Sequence, residues 1–194
     1  MLMIPRSRIL AFYYGLAVLC ASGSAAAQDS ITATSGSASA IARIRAAFAA
    51  TERDALRFRR TTHDLDGFSL EGGVLDAFYD GKQLRKLSAR LFGETWRGTE
   101  SYYFSAGRLV FIHVVHERYD RPMSGRVRAR LEHRFYFDND QLIRRVRTQS
   151  PRHSVTDLSS FDPDVTDLLT SSTLYAACAA AVGPEPEACK GPEG

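Results

Sequence analysis

Three segments of similar pattern constrain the fold of this chain more than any other feature. Each has two adjacent aromatic residues, a turn rich in Gly, Asp, Asn or Ser, and a Leu six residues after the first aromatic; they are Phe78–Leu84, Tyr103–Leu109 and Tyr136–Leu142. An aromatic strand end, a tight turn and a new strand are typical of a β-hairpin. The offsets of 25 and 33 residues are unequal, so the segments are not a strict repeat. The sequence therefore predicts a six-stranded antiparallel meander.

A helical pattern precedes the predicted sheet. Ile41, Ile44 and Phe48 recur at the spacing of one helical face, with arginines distributed mostly around the rest. The pattern predicts an amphipathic helix over about 39–59, with Ser37 or Ser39 as its N-cap.

A second helix is predicted after the sheet. Asp162 as N-cap, Pro163 at the first helical position and Asp164 in the first turn are start signals, and apolar spacing continues beyond them. We expect this helix over about 163–181, stopped by Gly183-Pro184. The predicted fold class is α+β: an N-terminal amphipathic helix packed on a roughly six-stranded antiparallel meander sheet, with a C-terminal helix.

The strands on either side of the loop 120–125 divide into two faces. If Tyr119 lies opposite Arg126, one face is mainly apolar and is expected to face the core: Val110, Ile112, Val114, His116, Val127, Ala129, Leu131, His133, Phe135 and Phe137. On the other face Glu117 would oppose Arg128 and His113 would oppose Glu132, and such pairs stabilise a sheet by roughly 0.2–1 kcal/mol each. A shift of one residue would mix the faces, so the pattern favours this register.

The N-terminus has the three parts of a secretory signal peptide in order. Arg6 and Arg8 form the positive start, Ile9–Ala21 is a largely apolar run of 13 residues, and Ala25–Ala27 offers a cleavage site. A spanning helix needs about 20 apolar residues, which disfavours the alternative of a retained membrane anchor. We therefore expect cleavage near Ala27, a periplasmic or secreted bacterial protein, and no transmembrane segment in the mature chain.

Loss of the signal peptide changes both charge and cysteine content. The chain has 25 Lys and Arg residues against 22 Asp and Glu residues, and removal of Arg6 and Arg8 leaves 23 against 22, a net charge of +1. Nucleic-acid binding is therefore not indicated. Cys20 leaves with the signal. An oxidising compartment then favours a disulfide between Cys178 and Cys189 over two free thiols.

The expected domain organisation follows from these boundaries. After residues 1–27, about 167 residues remain, enough for one domain with its own core. Residues 28–38 are rich in Ser, Thr, Ala and Gly and are predicted to be a flexible leader. Residues 39–181 form the predicted single α+β domain, and residues 182–194 form a flexible tail.

Several short motifs occur between Ile41 and Val146. They are Ile44-Arg45, Ser69–Gly73 (Ser-x-Glu-Gly-Gly), Phe78–Gly81, Leu84–Leu87, Gly93-Glu94, Glu100–Phe104, Tyr119–Pro122, Arg134–Phe137 and Leu142–Arg144. With the leading helix and the aromatic-turn-Leu hairpins, they resemble a family of uncharacterised secreted or periplasmic bacterial proteins. The resemblance implies export and an α+β fold, and it implies no activity or cofactor. The C-terminal helix and the cysteine pair have no counterpart in it.

Candidate catalytic and metal-binding residues do not form a recognisable motif. His113 and His116 have H-x-x-H spacing, but residues three apart on a strand point to opposite faces. His133 could neighbour His116, yet no carboxylate or thiolate is evident beside them, which favours buried structural histidines over a zinc site. Four glutamates could supply a carboxylate pair for a hydrolase, and no spacing selects two of them: Glu71, Glu94, Glu100 and Glu132. We predict no catalytic residue, metal or cofactor.

The arginine-rich face is the remaining non-random feature. The residues predicted to bind a ligand there are Arg126, Arg128, Arg130, Arg134, Phe111, Tyr119 and Tyr136. Guanidinium groups and exposed aromatic rings suit anionic ligands. The alternative is a solvated face, or one half covered by a helix, on which arginine stems cover apolar neighbours.

Together these patterns favour an exported, non-enzymatic binding protein. Its expected partner is an anionic envelope glycan or lipid, or an acidic protein. The alternative function is a small envelope-acting hydrolase that uses Glu and His side chains.

Overall fold

The computed structural model describes residues 35–151, 158–183 and 186–191. Seven strands form one antiparallel sheet in chain order: β1 (Arg59–Leu65), β2 (Gly73–Asp80), β3 (Gln83–Gly93), β4 (Trp96–Ser105), β5 (Arg108–Tyr119), β6 (Val127–Asp138) and β7 (Gln141–Ser150). Two α-helices accompany it, α1 (Ser35–Asp54) and α2 (Val165–Ala180). The fold is therefore α+β around an antiparallel meander, as the sequence predicts. The predicted signal peptide lies outside the described residues.

The predicted strand count is wrong by one, because the first helix ends earlier than expected and leaves room for a further strand. α1 ends at Asp54, a 3₁₀ turn follows at Ala55–Arg57, and β1 begins at Arg59. β1 pairs with β2 along its whole length. The β-branched pair Thr61-Thr62 favours a strand here, and the seven-residue alternation is too short to stand out after a long helical pattern. Ser37 and Ser39, the predicted caps, lie within α1.

α2 covers one face of the sheet, hereafter the α2 face. The largest apolar cluster lies between them, and it includes Leu75, Leu87, Tyr102, Ile112, Phe135, Leu168, Tyr175 and Cys178. The helix begins two residues later than predicted, because Asp164 is its N-cap and accepts a hydrogen bond from the Thr166 backbone N–H at 2.6 Å. Pro163 precedes this cap instead of opening the helix. This cluster between α2 and the sheet is the main core of the domain.

α1 packs on the opposite face, hereafter the α1 face. Its residues Ile41 and Ile44 contact a second apolar cluster, made with Tyr103, Phe111, Tyr136 and Val146 of the sheet. Successive residues of a strand point to opposite faces, so Tyr102 lies under α2 and Tyr103 under α1. The sheet is therefore sandwiched between two helices, with the smaller core on the arginine-rich side.

The β5–β6 register differs by two residues from the predicted one. Tyr119 pairs with Val127 instead of Arg126, and a bulge then leaves Arg128 without a partner, so Glu117 pairs with Arg130. A two-residue shift keeps the same side chains on each face, which is why most of the predicted core face is correct. Val127 is an exception, because it is exposed at the strand end.

A second bulge reverses two predicted orientations at the start of β5. Tyr103 pairs with Phe111 and Phe104 with Leu109, which leaves Val110 unpaired. Val110 therefore packs with the cluster under α1, and Leu109 packs with the cluster under α2. The sequence predicts the opposite, because simple alternation takes no account of a bulge.

The predicted disulfide is present between Cys178 and Cys189, whose Cα atoms are 4.7 Å apart. Cys178 lies in α2 and Cys189 in a 3₁₀ helix, Glu187–Cys189, within the segment predicted to be a flexible tail. Both cysteines are buried in the main core. In the part of the chain that the structure describes, neither α-helix is long and apolar enough to cross a membrane.

Candidate ligand-binding groove

The seven residues predicted to bind a ligand do not form one surface. Phe111 and Tyr136 are each only 4% exposed, because α1 covers them. Tyr119 and Arg134 are partly exposed, and three arginines lie exposed towards the β5–β6 loop: Arg126, Arg128 and Arg130. The α1 face is therefore half covered, with its aromatic residues under the helix and most of its arginines outside it.

A groove opens where α1 leaves the sheet uncovered. Its cavity volume is about 290 Å³, and its lining residues are Ile44, Arg45, Phe48, Phe111, His113, Glu132, Arg134 and Tyr136. We call this cavity the α1 groove. The predicted residues Phe111, Arg134 and Tyr136 line it together with three residues of α1. It is a concave site with an apolar side and a polar end, the usual form of a small-molecule site.

Aromatic rings form the apolar side of the α1 groove. The Phe48 ring centroid lies 5.3 Å from that of Phe111, and the Phe111 centroid lies 4.9 Å from that of Tyr136. Phe48 also packs edge-on against Tyr103 at 5.0 Å. Each such pair adds about 0.5–1.5 kcal/mol beyond its buried area. These contacts fix α1 on the sheet and give the groove a rigid wall.

A carboxylate with two positive or proton-donating neighbours forms the polar end. Glu132 Oε1 lies 2.8 Å from His113 Nε2 and accepts a hydrogen bond from Arg134 Nε at 2.8 Å. The hydrogen bond from His113, followed by hydrogen bonding and charge from Arg134, lowers the pKa of Glu132 to about 2, although burial opposes the shift. Glu132 is therefore an ionised acceptor at neutral pH. It cannot serve as a general acid there.

Three of the four arginines of the arginine-rich face form ion pairs with acidic side chains: Arg126, Arg130 and Arg134. The Arg130 guanidinium lies 3.8 Å from a carboxylate oxygen of Glu117 and 3.8 Å from one of Glu132. Arg126 Nε lies 3.7 Å from Asp120. Positive and negative side chains therefore alternate across this part of the sheet and form a series of ion pairs. Exposed pairs of this kind contribute about 0–1 kcal/mol each, and they leave little free positive charge.

Arg45, like Arg128, takes part in no ion pair within the described residues. Its guanidinium carbon lies 5.8 Å from the centre of the Tyr136 ring, a cation–π position. The residue is exposed on α1 and lines the α1 groove. A positive group without a carboxylate partner therefore stands at the mouth of an aromatic cavity.

A second, more polar cavity lies at the loop end of the β5–β6 hairpin. Its volume is about 280 Å³ and its lining residues are Thr95, Arg118, Tyr119, Asp120, Arg121, Pro122 and Arg128. We call it the hairpin pocket. The predicted residues Tyr119 and Arg128 line it, nearer the β5–β6 loop than the strand positions that line the α1 groove. The structure therefore divides the predicted site between two cavities, and leaves Arg126 and Arg130 in neither.

The glutamates considered for a hydrolase do not converge. Glu71 and Glu94 are exposed in turns, and Glu132 lies in the α1 groove. Glu100 belongs to the opposite face, where the Tyr102 hydroxyl donates a hydrogen bond to it at 2.6 Å. Burial raises the pKa of Glu100, and hydrogen bonding from Tyr102 and Tyr175 opposes this. No two of these four carboxylates share a cavity in the described structure.

His113 lies on a different face of the sheet from His116 and His133, which are diagonal neighbours on the α2 face. His113 lines the α1 groove, whereas His133 is fully buried on the α2 face with its Nε2 2.9 Å from Asp162 Oδ1. Burial lowers the pKa of His133 to about 4, and the charge of Arg145 acts in the same direction. His116 packs against Trp96 and Phe161. His113 and His116 therefore do not share a site.

Sequence reasoning missed Ile44, Arg45 and Phe48 as groove residues. The helical spacing identifies the apolar face of α1, but it does not say which strands that face covers. The pairing of Arg45 with the Tyr136 ring depends on that docking position.

Comparison with known proteins finds no match, so the function is inferred from the geometry of the site. The chain matches no protein-family model, no curated protein and no solved structure.

Proposed function

We propose that this protein is an exported, non-enzymatic binding protein whose α1 groove holds a small amphipathic anion. The observation that carries the proposal is the meeting of an aromatic wall with the unmatched guanidinium of Arg45. Small-molecule sites typically have volumes of roughly 300–1,000 Å³. At about 290 Å³, the groove suits a ligand at the lower end of this range. A periplasmic or secreted location would suit the Cys178–Cys189 disulfide.

The charges at the polar end favour an anion. Glu132 is already matched by Arg134 and His113, so its negative charge repels a ligand anion only weakly. Arg45 supplies a further positive group, and a guanidinium can bind a carboxylate or phosphate through two parallel hydrogen bonds. The headgroup would therefore contact Arg45 at the groove mouth.

The aromatic wall favours an apolar body behind that headgroup. Ile44, Phe48 and Phe111 offer hydrocarbon surface and no hydrogen-bond donor for sugar hydroxyls. Burial of apolar surface is worth about 25 cal/mol per Å², so an acyl chain would bind there better than a glycan. The proposed ligand class is thus a single-chain lipid anion, such as a fragment of an envelope lipid.

Calorimetric titration with octyl phosphate, and with octanol as the uncharged analogue, tests the proposal. The variant R45Q removes the headgroup contact, and R128Q removes one arginine from the hairpin pocket as a matched control. We expect R45Q to weaken octyl phosphate binding about tenfold, because a hydrogen bond to a charged group is worth roughly 1.5–3 kcal/mol. Octanol binding should not change in either variant.

The outcomes separate the possible sites. Loss of octyl phosphate affinity in R45Q alone supports the α1 groove. Equal loss in R128Q, or loss in R128Q alone, would place the anion elsewhere and contradict the proposal. Absence of saturable octyl phosphate binding to the wild-type protein would also contradict it.

A hydrolase is the second candidate, favoured by one arrangement on the α1 face. Ser101 lies directly opposite His113 in the β4–β5 register, and His113 contacts Glu132 on β6. A Ser, a His and a Glu therefore follow one another across three strands, in the order of a nucleophile, a base and its orienting acid. Ser101 is only 6% exposed and does not line the groove, which ranks this function second.

Hydrolysis of p-nitrophenyl butyrate by wild-type protein and S101A distinguishes this second candidate. A hydrolase based on Ser101 predicts turnover by the wild type and its loss in S101A. Equal rates in the two proteins would exclude Ser101 as a nucleophile.

A further inference from the structure

His63 lies beside the disulfide where three elements meet. One ligand atom of His63 and the sulfur atoms of Cys178 and Cys189 all lie within 4.8 Å of one another. These residues come from β1, α2 and the 3₁₀ helix Glu187–Cys189, respectively. Both cysteines belong to the main core, and His63 lies partly buried beside them on the α2 face.

The imidazole of His63 contains a buried atom with no hydrogen-bond partner. Its Nε2 is inaccessible to solvent and makes no hydrogen bond in the described structure. An unsatisfied buried polar atom costs about 1–3 kcal/mol, and buried polar groups are otherwise nearly always paired. The imidazole of His63 therefore lies beside two sulfur atoms and has a nitrogen that no protein group engages.

We propose that His63, Cys178 and Cys189 form a binding site for a thiophilic metal ion, with Zn²⁺ as the reference ion, when the disulfide is reduced. Zinc is bound by Cys and His at about 2.3 Å and 2.0–2.1 Å, which places ligand atoms of a tetrahedral site about 3.3–3.8 Å apart. The three candidate ligand atoms already lie within 4.8 Å. Separation of the two sulfur atoms on reduction therefore needs only a small movement.

The segment that carries Cys189 is held by contacts other than the disulfide. The Gly191 backbone N–H donates to the Asp66 carbonyl oxygen at 2.6 Å, and Lys190 forms a β-bridge with Asp66. At Gly191 an added Cβ would lie 2.4 Å from the Gly67 backbone, so the two segments pack as closely as glycine permits. The two thiols would therefore stay near each other and near His63 after reduction.

The chemistry requires an external two-electron reductant, either a dithiol or a phosphine. Two electrons and two protons convert the Cys178–Cys189 disulfide to two thiols, while a dithiol becomes a disulfide or a phosphine takes oxygen from water and becomes its oxide. Binding of the metal ion then releases the two thiol protons and forms two metal–sulfur bonds and one bond to a neutral imidazole nitrogen. A water molecule can complete a tetrahedral site with three protein ligands. The oxidised protein has no thiolate to offer and would not bind the ion here.

Titration of the full chain with Co²⁺, a spectroscopic substitute for Zn²⁺, tests the proposal. Oxidised and phosphine-reduced protein are compared, and Zn²⁺ is then added to displace Co²⁺. We expect one Co²⁺ per reduced chain, with thiolate-to-cobalt absorption that Zn²⁺ removes, and no such absorption in oxidised protein. Circular dichroism of the reduced protein monitors its fold in parallel.

The variants H63A and H113Q show whether the histidine is a ligand. Replacement of a residue that only hydrogen-bonds to a metal ligand typically lowers metal affinity 10–100-fold. Loss of His63, a proposed ligand itself, should therefore weaken Co²⁺ binding by about 100-fold or more. H113Q removes a histidine on the opposite face and should bind like the wild type. Equal affinity of H63A and wild type, or binding only by a reduced chain that has lost its native circular dichroism, would overturn the proposal.

Discussion

Glu100 and Glu132 lie on opposite faces of the sheet and have opposite electrostatic surroundings. Glu132 accepts hydrogen bonds from His113 and Arg134 and has a pKa of about 2. Glu100 faces α2, where burial raises its pKa. A side chain of the same type therefore favours folding at high pH on one face and at low pH on the other.

Replacement of Glu132 by glutamine should destabilise the protein at neutral pH. The folded state lowers the pKa of Glu132 from 4.5 to about 2, so the stabilisation is complete above pH 4.5 and is lost as the pH falls to about 2. At pH 7 we expect the free energy of unfolding of E132Q to be about 2–3 kcal/mol lower than that of the wild type. Urea denaturation between pH 7 and pH 2.5 measures the difference, which should shrink below pH 4.5. The exposed control E71Q should show no such change.

Replacement of Glu100 by glutamine should have the opposite effect and stabilise the protein at neutral and alkaline pH. Because the folded state raises the pKa of Glu100, the ionised carboxylate opposes folding once the pH exceeds the pKa of the unfolded chain. A glutamine keeps an acceptor for the Tyr102 hydroxyl and carries no charge. E100Q should therefore be more stable than the wild type at pH 8, with a gap that closes towards pH 4 in the same urea assay. A gap that grows at acid pH would contradict the assignment.

At the scale of single elements, the helical and hairpin patterns were sufficient to predict α1, α2 and β2–β7. The bulges are not predictable from the sequence, because none of the residues left unpaired is of a turn-forming type: Arg85, Val110, Arg128 and Ile143. β1 is not predicted, because its seven-residue alternation is too short to stand out after a long helical pattern. The disulfide was predictable from cysteine counting, whereas its place in the main core was not.

The docking of α1 depends on a few apolar side chains, and I44A tests it. Ile44 is 6% exposed and packs in the cluster with Phe111 and Tyr136. Truncation of a buried Ile to Ala typically costs about 2–5 kcal/mol. We expect about 2–3 kcal/mol in urea denaturation, because this cluster is the smaller of the two. L56A, at a fully exposed leucine, is the control and should change stability by less than about 0.5 kcal/mol.

At the scale of the whole molecule, the site depends on how a helix and a sheet meet. The sequence predicted Phe111, Arg134 and Tyr136 as binding residues, and they line the α1 groove. Its other wall comes from α1, and sequence patterns do not fix the position of a helix on a sheet. The arginine-rich face carries less free positive charge than its sequence suggests, because the strands place Glu117 and Glu132 within ion-pair distance of Arg130.

The disulfide contributes to global stability because it joins α2 to the segment packed on β1. A chain-entropy estimate for a closed loop of this size is roughly 3 kcal/mol. The double variant C178S/C189S should lose about that much in urea denaturation and remain folded, since small domains have about 5–15 kcal/mol of stability. A loss below about 0.5 kcal/mol would mean that the bridge does not constrain the domain.

NMR titration of isotope-labelled protein with octyl phosphate shows whether the α1 groove binds an amphipathic anion. We expect saturable shift changes at Phe48, Phe111 and Tyr136 and at the Arg45 side chain, with none around the hairpin pocket. Shift changes confined to Arg118, Arg121 and Arg128, or changes that never saturate, would exclude binding in the α1 groove.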